Sequence, residues 1–168
     1  MIFVTLGTQD KHFDRLLTAV YKLETDEKIV AQIGSTEFKS SKPEDNFEIH
    51  KFLTNEEFEK YMDEARVVIT HAGVGTIIYG LKKHKKMIVA ARLKKYGEHV
   101  NDHQLQILQT FASEGYIIPL ENFDDLPKLL EMEFTPKEWK SNNNTFNRKL
   151  FEEIYGVNEK YESKKSIS

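Results

Sequence analysis

The chain has 168 residues, of which 39% are hydrophobic and 30% charged, with 11 Phe and 7 Tyr. That is one domain of ordinary size with enough apolar material for a core, which excludes a disordered chain. A formal net charge of −3 argues against a nonspecific nucleic-acid binder, and the absence of cysteine removes a disulfide frame, a thiolate zinc site and a cysteine nucleophile.

Met1–Leu6 is a short apolar, β-rich run that ends at Gly7 and reads as a buried strand. Only six residues precede that glycine, and none is basic, so no signal segment is expected. Phe13, Leu16, Leu17, Val20 and Leu23 recur at helical spacing and predict an amphipathic helix over His12–Glu24. Lys28–Ile33, ending at Gly34, and Phe47–Phe52 read as the next two strands. Ser40–Asn46 between them reads as a polar loop. Thr54 with Glu57 three residues on is a capping box, opening a helix to about Glu64.

Arg66–Thr70 predicts a strand that runs into His71-Ala72-Gly73-Val74-Gly75-Thr76. A helix over Thr76–Lys83 and a strand over Met87–Ala91 follow. A polar loop, Arg92–Val100, leads to a helix over Asn101–Ser113, which Gly115 ends. Tyr116–Pro119 is a last short strand, and Asp124–Glu131 and Pro136–Tyr155 are terminal helices. The domain is expected to span residues 1–157, with 158–168 a frayed tail. Nowhere do about 18 apolar residues run together, so no membrane-spanning helix is expected.

Strands separated by crossover helices imply an α/β fold, a Rossmann-like parallel sheet with helices on both faces. Ligands of such sheets bind beyond the carboxyl ends of the strands. Gly7, Gly34, Gly73, Gly75 and Gly97, five of the eight glycines, fall just after predicted strands and so on one edge. The segment from Val67 to Thr76 carries the sharpest signal. A strand feeds a glycine-rich turn, and the turn feeds a helix N-terminus, where free N–H groups and the helix dipole favour an anion. Thr76 is placed to cap that helix or to give a hydroxyl to a phosphate oxygen. The segment matches neither Gly-x-Gly-x-x-Gly nor a Walker A loop.

The loop Arg92–Gln104 lies on the same edge. Arg92, Lys94 and Lys95 are candidates to offset diphosphate charge, and Glu98, Asp102 and Gln104 to read sugar hydroxyls. His99 and His103 stand four apart beside Asp102, but the glutamate of a His-Glu-x-x-His zinc motif is missing. No metal site is expected. His71 could serve as a general base, contact a phosphate or simply fill the turn. Gly7-Thr8-Gln9 and Gln32-Ile33-Gly34-Ser35 would turn backbone N–H groups toward the cleft, and Phe52-Leu53 offers a main-chain edge to a base.

Three of these segments in order, Met1 to Gln9, His71 to Thr76 and Tyr96 to Gln104, resemble the family 28 glycosyltransferase C-terminal domain. The nearest likeness is to the small soluble subunits of split bacterial exopolysaccharide and capsule glycosyltransferases, the PssE-like group. The soluble half of the eukaryotic split N-acetylglucosaminyltransferase is more distant. The resemblance covers about residues 1 to 120.

It implies the C-terminal half of a GT-B fold, two Rossmann-like domains facing across a cleft. It also implies a UDP-sugar donor and no cofactor. The missing half would be a membrane-associated subunit carrying the acceptor domain, and the acceptor a polyprenyl-diphosphate-linked sugar. The reaction would be inverting and metal-independent. By resemblance, Ala72 and Gly73 to Thr76 form the diphosphate loop, His103-Gln104 contacts the donor sugar, and Phe52-Leu53 holds the uracil by its backbone. Where the family often has a ribose-gripping glutamate, this chain has Tyr79.

The expectation is therefore a donor-binding hexosyltransferase subunit in capsular or exopolysaccharide synthesis, with galactose favoured. Alternatives are an N-acetylglucosaminyltransferase subunit, a UDP-sugar enzyme that acts alone, or a non-catalytic nucleotide-sugar module that stabilises a membrane partner. Arg92 or Lys95 and the helix N-terminus would stabilise the leaving UDP, with the base on the partner. The chain would be cytoplasmic and bacterial, held at the inner membrane face through its partner. A homo-oligomer stays open. Trp139, Phe146, Leu150, Phe151 and Ile154 are candidates either for the subunit interface or for packing back on the chain's own sheet, with different faces able to do both.

Overall fold

Apolar residues occupy consecutive positions in the central strands, as a sheet covered on both faces requires. The computed structural model describes residues 1–38 and 45–155. The core of the expected 40–46 loop, the expected tail and the side chain of Ile154 lie outside the described residues.

Six strands form one parallel sheet in the order β3-β2-β1-β4-β5-β6. They are β1 (Ile2–Thr5), β2 (Ile29–Gln32), β3 (Phe47–His50), β4 (Val67–His71), β5 (Lys86–Ala90) and β6 (Ile118–Pro119). β1 pairs with both β2 and β4 from residue 2 to residue 5, so the chain reverses its winding direction at β1. The helices are α1 (Asp14–Tyr21), α2 (Asn55–Glu64), α3 (Val74–Lys82), α4 (His103–Ser113), α5 (Leu126–Glu131) and α6 (Asn144–Tyr155).

Strand alternation divides the core. Ile2, Val4, Ile69 and Ile88 point to the face that carries α1 and α5, where Phe13, Leu16, Leu126 and Leu130 cover them. Phe3, Val68, Met87 and Val89 point to the other face, against Met62 of α2, Ile77 of α3, Phe111 of α4 and Phe146 of α6. Thr54 caps α2 through its side chain, accepting from Glu57 N at 3.1 Å, as the capping box predicts.

Several element bounds differ from expectation; α3, for one, starts at Val74 rather than Thr76, and a 3₁₀ turn, Phe123–Asp125, precedes α5. α6 starts at Asn144 rather than Pro136, because Pro136–Lys140 runs non-helical over the sheet's second face. There Trp139 packs on Tyr116 at 5.4 Å and on Phe146 at 5.6 Å. Trp139, Phe146 and Leu150 thus join the core instead of facing a subunit interface. α4 starts at His103 rather than Asn101, since Asn101 Oδ1 accepts the His103 N–H at 3.0 Å and holds the chain in a turn. The loop after β5 contains a 3₁₀ turn, Lys94–Tyr96. Among the described residues no helix is long and apolar enough to cross a membrane.

At the amino ends of the strands, Arg66 makes a bidentate contact with Glu27, its Nη2 lying 2.8 Å from Oε1. The Arg66 hydrogen bond holds the Glu27 carboxyl down to about 2 from 4.5. A folded-state value below the ordinary one gives stability that is present above about pH 4.5 and lost as pH falls toward 2. Glu27→Gln is expected to lower stability by about 1 kcal/mol at pH 7, since the pair is partly solvent-screened, and by much less at pH 2. Urea unfolding at the two pH values checks this.

Candidate functional site

The carboxyl ends of β1 and β4 converge on one imidazole. His71 is the last residue of β4, and α3 begins three residues later. A Cβ on Gly73 would lie 2.7 Å from His71 Nε2, and one on Gly7 would lie 2.6 Å from the same atom. No side chain fits at either place, so two glycines from different strands leave room for the ring. Gly7 also adopts a φ of 82°, which side-chain-bearing residues avoid.

The ring is 5% exposed. Its Nδ1 sits 3.1 Å from Gln104 Nε2, while Nε2 has no partner among the described residues. Burial lowers its pKa to about 3, and the Arg92 charge and His99 add to the effect. The imidazole is therefore neutral at physiological pH.

Beside it, Gly73 occupies the cap position of α3 without any side-chain cap. The first-turn N–H groups of Val74, Gly75 and Thr76 have no carbonyl one turn back, and the helix dipole adds partial positive charge there. Gly75 is exposed, and a Cβ on it would meet nothing within 4 Å. The Thr76 hydroxyl has no hydrogen-bond partner among the described residues. Three uncapped backbone donors and an unpartnered hydroxyl thus lie at the α3 start, next to the glycine that abuts the neutral imidazole, a chemistry that suits a phosphate-sized anion.

The loop after β5 departs from what its sequence suggested. Arg92 is 1% exposed and does not face the cleft. Its guanidinium donates to the carbonyls of Leu6, Lys11, His12 and Glu98 and lies over the Phe13 ring at 5.0 Å. Burial lowers its pKa to about 10, so it stays charged while tying the β1 loop to the β5 loop.

Glu98, also 1% exposed, takes Arg15 at 2.8 Å on each oxygen and the Leu93 N–H at 3.0 Å. Gln104, 3% exposed, accepts the Arg92 N–H at 3.0 Å through Oε1. Arg92, Glu98 and Gln104 were expected to meet a donor. Each is instead consumed by internal contacts, because a glycine-rich edge needs side chains to satisfy its backbone groups.

The remaining candidates are distributed around the opening. Thr8, Lys95, Asp102 and His103 are exposed; Gln9, His99 and Tyr79 are half-buried. Asp102 Oδ1 accepts the Lys94 N–H, Lys95 lies over the Tyr96 ring, and Tyr79 packs edge-on to Phe58 at 5.7 Å. Burial lowers the His99 pKa, and its Nδ1 meets the Asn101 N–H at 3.4 Å. Gly34 is buried and gives its N–H to Lys51, so that amide does not face the cleft. Phe52 is 58% exposed beside the half-buried Leu53. Among the described residues no cluster of three acidic or histidine side chains could hold a metal ion.

Two side chains carry roles that the sequence does not announce. Gln32, expected to offer its backbone N–H to the cleft, is 4% exposed and receives the Leu53 N–H on Oε1 at 3.3 Å. The available signal was a lone polar residue inside the apolar run Ile29–Ile33. Arg15 lies between Tyr96 and Phe123, 4.2 and 4.6 Å from their ring centres. Its partner Glu98 is 83 residues away, and no local pattern marks it.

The parallel sheet and its glycine-lined carboxyl edge define a Rossmann-like domain of the GT-B type. Superposition on the glycotransferase of kitacinnamycin gives a TM-score of 0.60 at 17% identity, over 94% of this chain and 39% of that one. The chain belongs to the glycosyltransferase family 28 C-terminal domain, whose family model matches residues 1–155.

It is 27% identical over 125 residues to the human UDP-N-acetylglucosamine transferase subunit ALG13, covering 69% of this chain and 10% of that protein. It is 31% identical over 106 residues to the subunit of the same name from Candida albicans, covering 61% of this chain and 33% of that protein. The chain thus spans a third or less of these relatives. Their names give N-acetylglucosamine rather than galactose, and they lend no support to capsule or exopolysaccharide synthesis or to a bacterial source.

Proposed function

We propose that this chain is the donor-binding half of a two-component glycosyltransferase that uses UDP-N-acetylglucosamine. The observation that carries this reading is the uncapped α3 N-terminus, where the first-turn amides and the unpartnered Thr76 hydroxyl follow Gly73, the glycine that abuts His71 Nε2. A nucleotide diphosphate fits that chemistry, and the names of both relatives support the sugar. The N-acetylglucosamine reading replaces galactose as the favoured donor.

In this scheme the diphosphate sits on the amides of Val74, Gly75 and Thr76. Charge grows on the leaving UDP as the glycosidic bond breaks, and preorganised donors stabilise it. No divalent cation is needed for that step, and attack from the opposite side of the sugar inverts the anomeric carbon. Thr8, Gln9, Lys95, Asp102, His103, His99 and Tyr79 are the exposed or half-buried candidate side chains left to meet the donor, and the Phe52-Leu53 edge holds the base. The acceptor is a lipid-linked sugar. A membrane-associated second subunit brings it to the cytosolic membrane face and supplies the general base.

Calorimetric titration with UDP-N-acetylglucosamine, UDP-galactose, UDP and dTDP-glucose in EDTA tests the reading. Saturable binding that prefers UDP-N-acetylglucosamine is expected. Thr76→Arg fills the proposed place and is expected to weaken binding at least about 100-fold through lost charged hydrogen bonds. Equal binding by Thr76→Arg sinks the proposed place; preference for UDP-galactose sinks the proposed sugar.

A further inference from the structure

The His71 ring and the Gln104 carboxamide form a buried pair behind the anion place, and their hydrogen bonds leave only one arrangement. The Arg92 backbone N–H, 3.0 Å from Gln104, can only donate. The carboxamide atom facing it must therefore be the oxygen, and the NH₂ group is turned toward His71 Nδ1 at 3.1 Å. An NH₂ group donates, so Nδ1 must be the bare, accepting nitrogen of a neutral imidazole. The proton is then on Nε2, the atom that lies against both Gly7 and Gly73 with no partner among the described residues.

Resting on the donor-site reading above, we infer that Gln104 is a positioning residue that locks His71 as the Nε2–H tautomer, giving the diphosphate place a neutral N–H donor. Gln104 then acts through His71 rather than on the sugar. The chain of control is short: a main-chain N–H orients an amide, the amide fixes a tautomer, and the tautomer presents a donor to the ligand. It also removes His71 as a general base, because Nδ1 is occupied and Nε2 already carries its proton.

The groups around the ring agree. Arg92 and His99 are the charged or titratable groups that act on it, and both disfavour a second proton, as does burial. The packed side, Gly7 and Gly73, brings no titratable side chain.

Gln104→Glu tests the lock. A carboxylate still accepts the Arg92 N–H, but toward His71 it can only accept as well. The proton is expected to move to Nδ1, or the ring to take a second proton near neutral pH. Long-range proton–nitrogen NMR of the ligand-free protein reads this without reference to any donor. In the unmodified protein one ring nitrogen, Nε2, is expected to be protonated, unchanged from pH 8 to pH 5.

In Gln104→Glu the pattern is expected to reverse or to titrate. Affinity for UDP-N-acetylglucosamine, whose diphosphate does not titrate in this range, is expected to fall about tenfold at pH 8. It should recover as pH drops and the ring charges, whereas the unmodified protein shows no such recovery. An Nδ1–H tautomer in the unmodified protein, or an Nε2–H tautomer that survives Gln104→Glu, overturns the inference. The spectrum of the unmodified protein decides the matter even if the variant does not fold. A correct tautomer with no UDP-sugar binding would fault the donor-site reading and leave the lock intact.

Discussion

Arg92→Met is expected to destabilise the protein by about 3–5 kcal/mol, the loss typical of breaking a buried charged network. The guanidinium gathers carbonyls from three stretches of chain: Leu6 after β1, Lys11 and His12 before α1, and Glu98 in the loop after β5. Methionine fills much of the volume and supplies no donor. Those buried acceptors then lose their partner, each costing about 1–3 kcal/mol where water cannot replace it. Arg92→Lys keeps a charge but cannot span the same fork, so a smaller loss is expected. Urea midpoints of the three proteins measure the series. A loss under 1 kcal/mol in Arg92→Met would show that the loops hold each other by other means.

Gly73→Ala is expected to damage the site more than the fold. Its φ of −89° suits alanine, so any cost is steric. The new Cβ would reach His71 Nε2 at 2.7 Å, and the ring, which also lies close against Gly7, is buried and held at Nδ1 by Gln104. Overpacking of this kind costs about 1–3 kcal/mol. The displaced ring also loses its aim at the anion place, and donor affinity is expected to fall at least about 100-fold through lost charged hydrogen bonds. Gly75→Ala is the control for stability. Its Cβ meets nothing within 4 Å, so unfolding should shift little, or upward through helix propensity. Equal stability and equal UDP affinity in Gly73→Ala and the unmodified protein would contradict the close approach.

The strands were legible because their signal is local. Val67, Val68 and Ile69 form one apolar run that ends in glycines, and nothing competes with reading it as a buried strand. The capping box at Thr54 and Glu57 was legible for the same reason. The glycine edge could be read as an anion place because strand, turn and helix start are contiguous in sequence. What escaped reading depends on partners far apart in the chain. Arg92, Glu98 and Gln104 look like ligand-binding residues, since polar side chains after a buried strand usually face solvent or substrate. Their true partners are Leu6 after β1, Arg15 in α1 and His71 in β4, all distant in sequence. Pro136–Lys140 reads as helix in sequence because Trp139 shares the apolar spacing of Phe146 and Leu150, yet it lies on the core in non-helical chain.

Backbone amide chemical shifts of the labelled protein, followed during titration with UDP-N-acetylglucosamine, test the donor place most directly. The account predicts that the amides of Val74, Gly75 and Thr76 move first and furthest, together with Leu53, and that the same peaks stay still in Thr76→Arg. Shifts confined to any other part of the surface, or saturable binding with residues 74–76 unmoved, would contradict it.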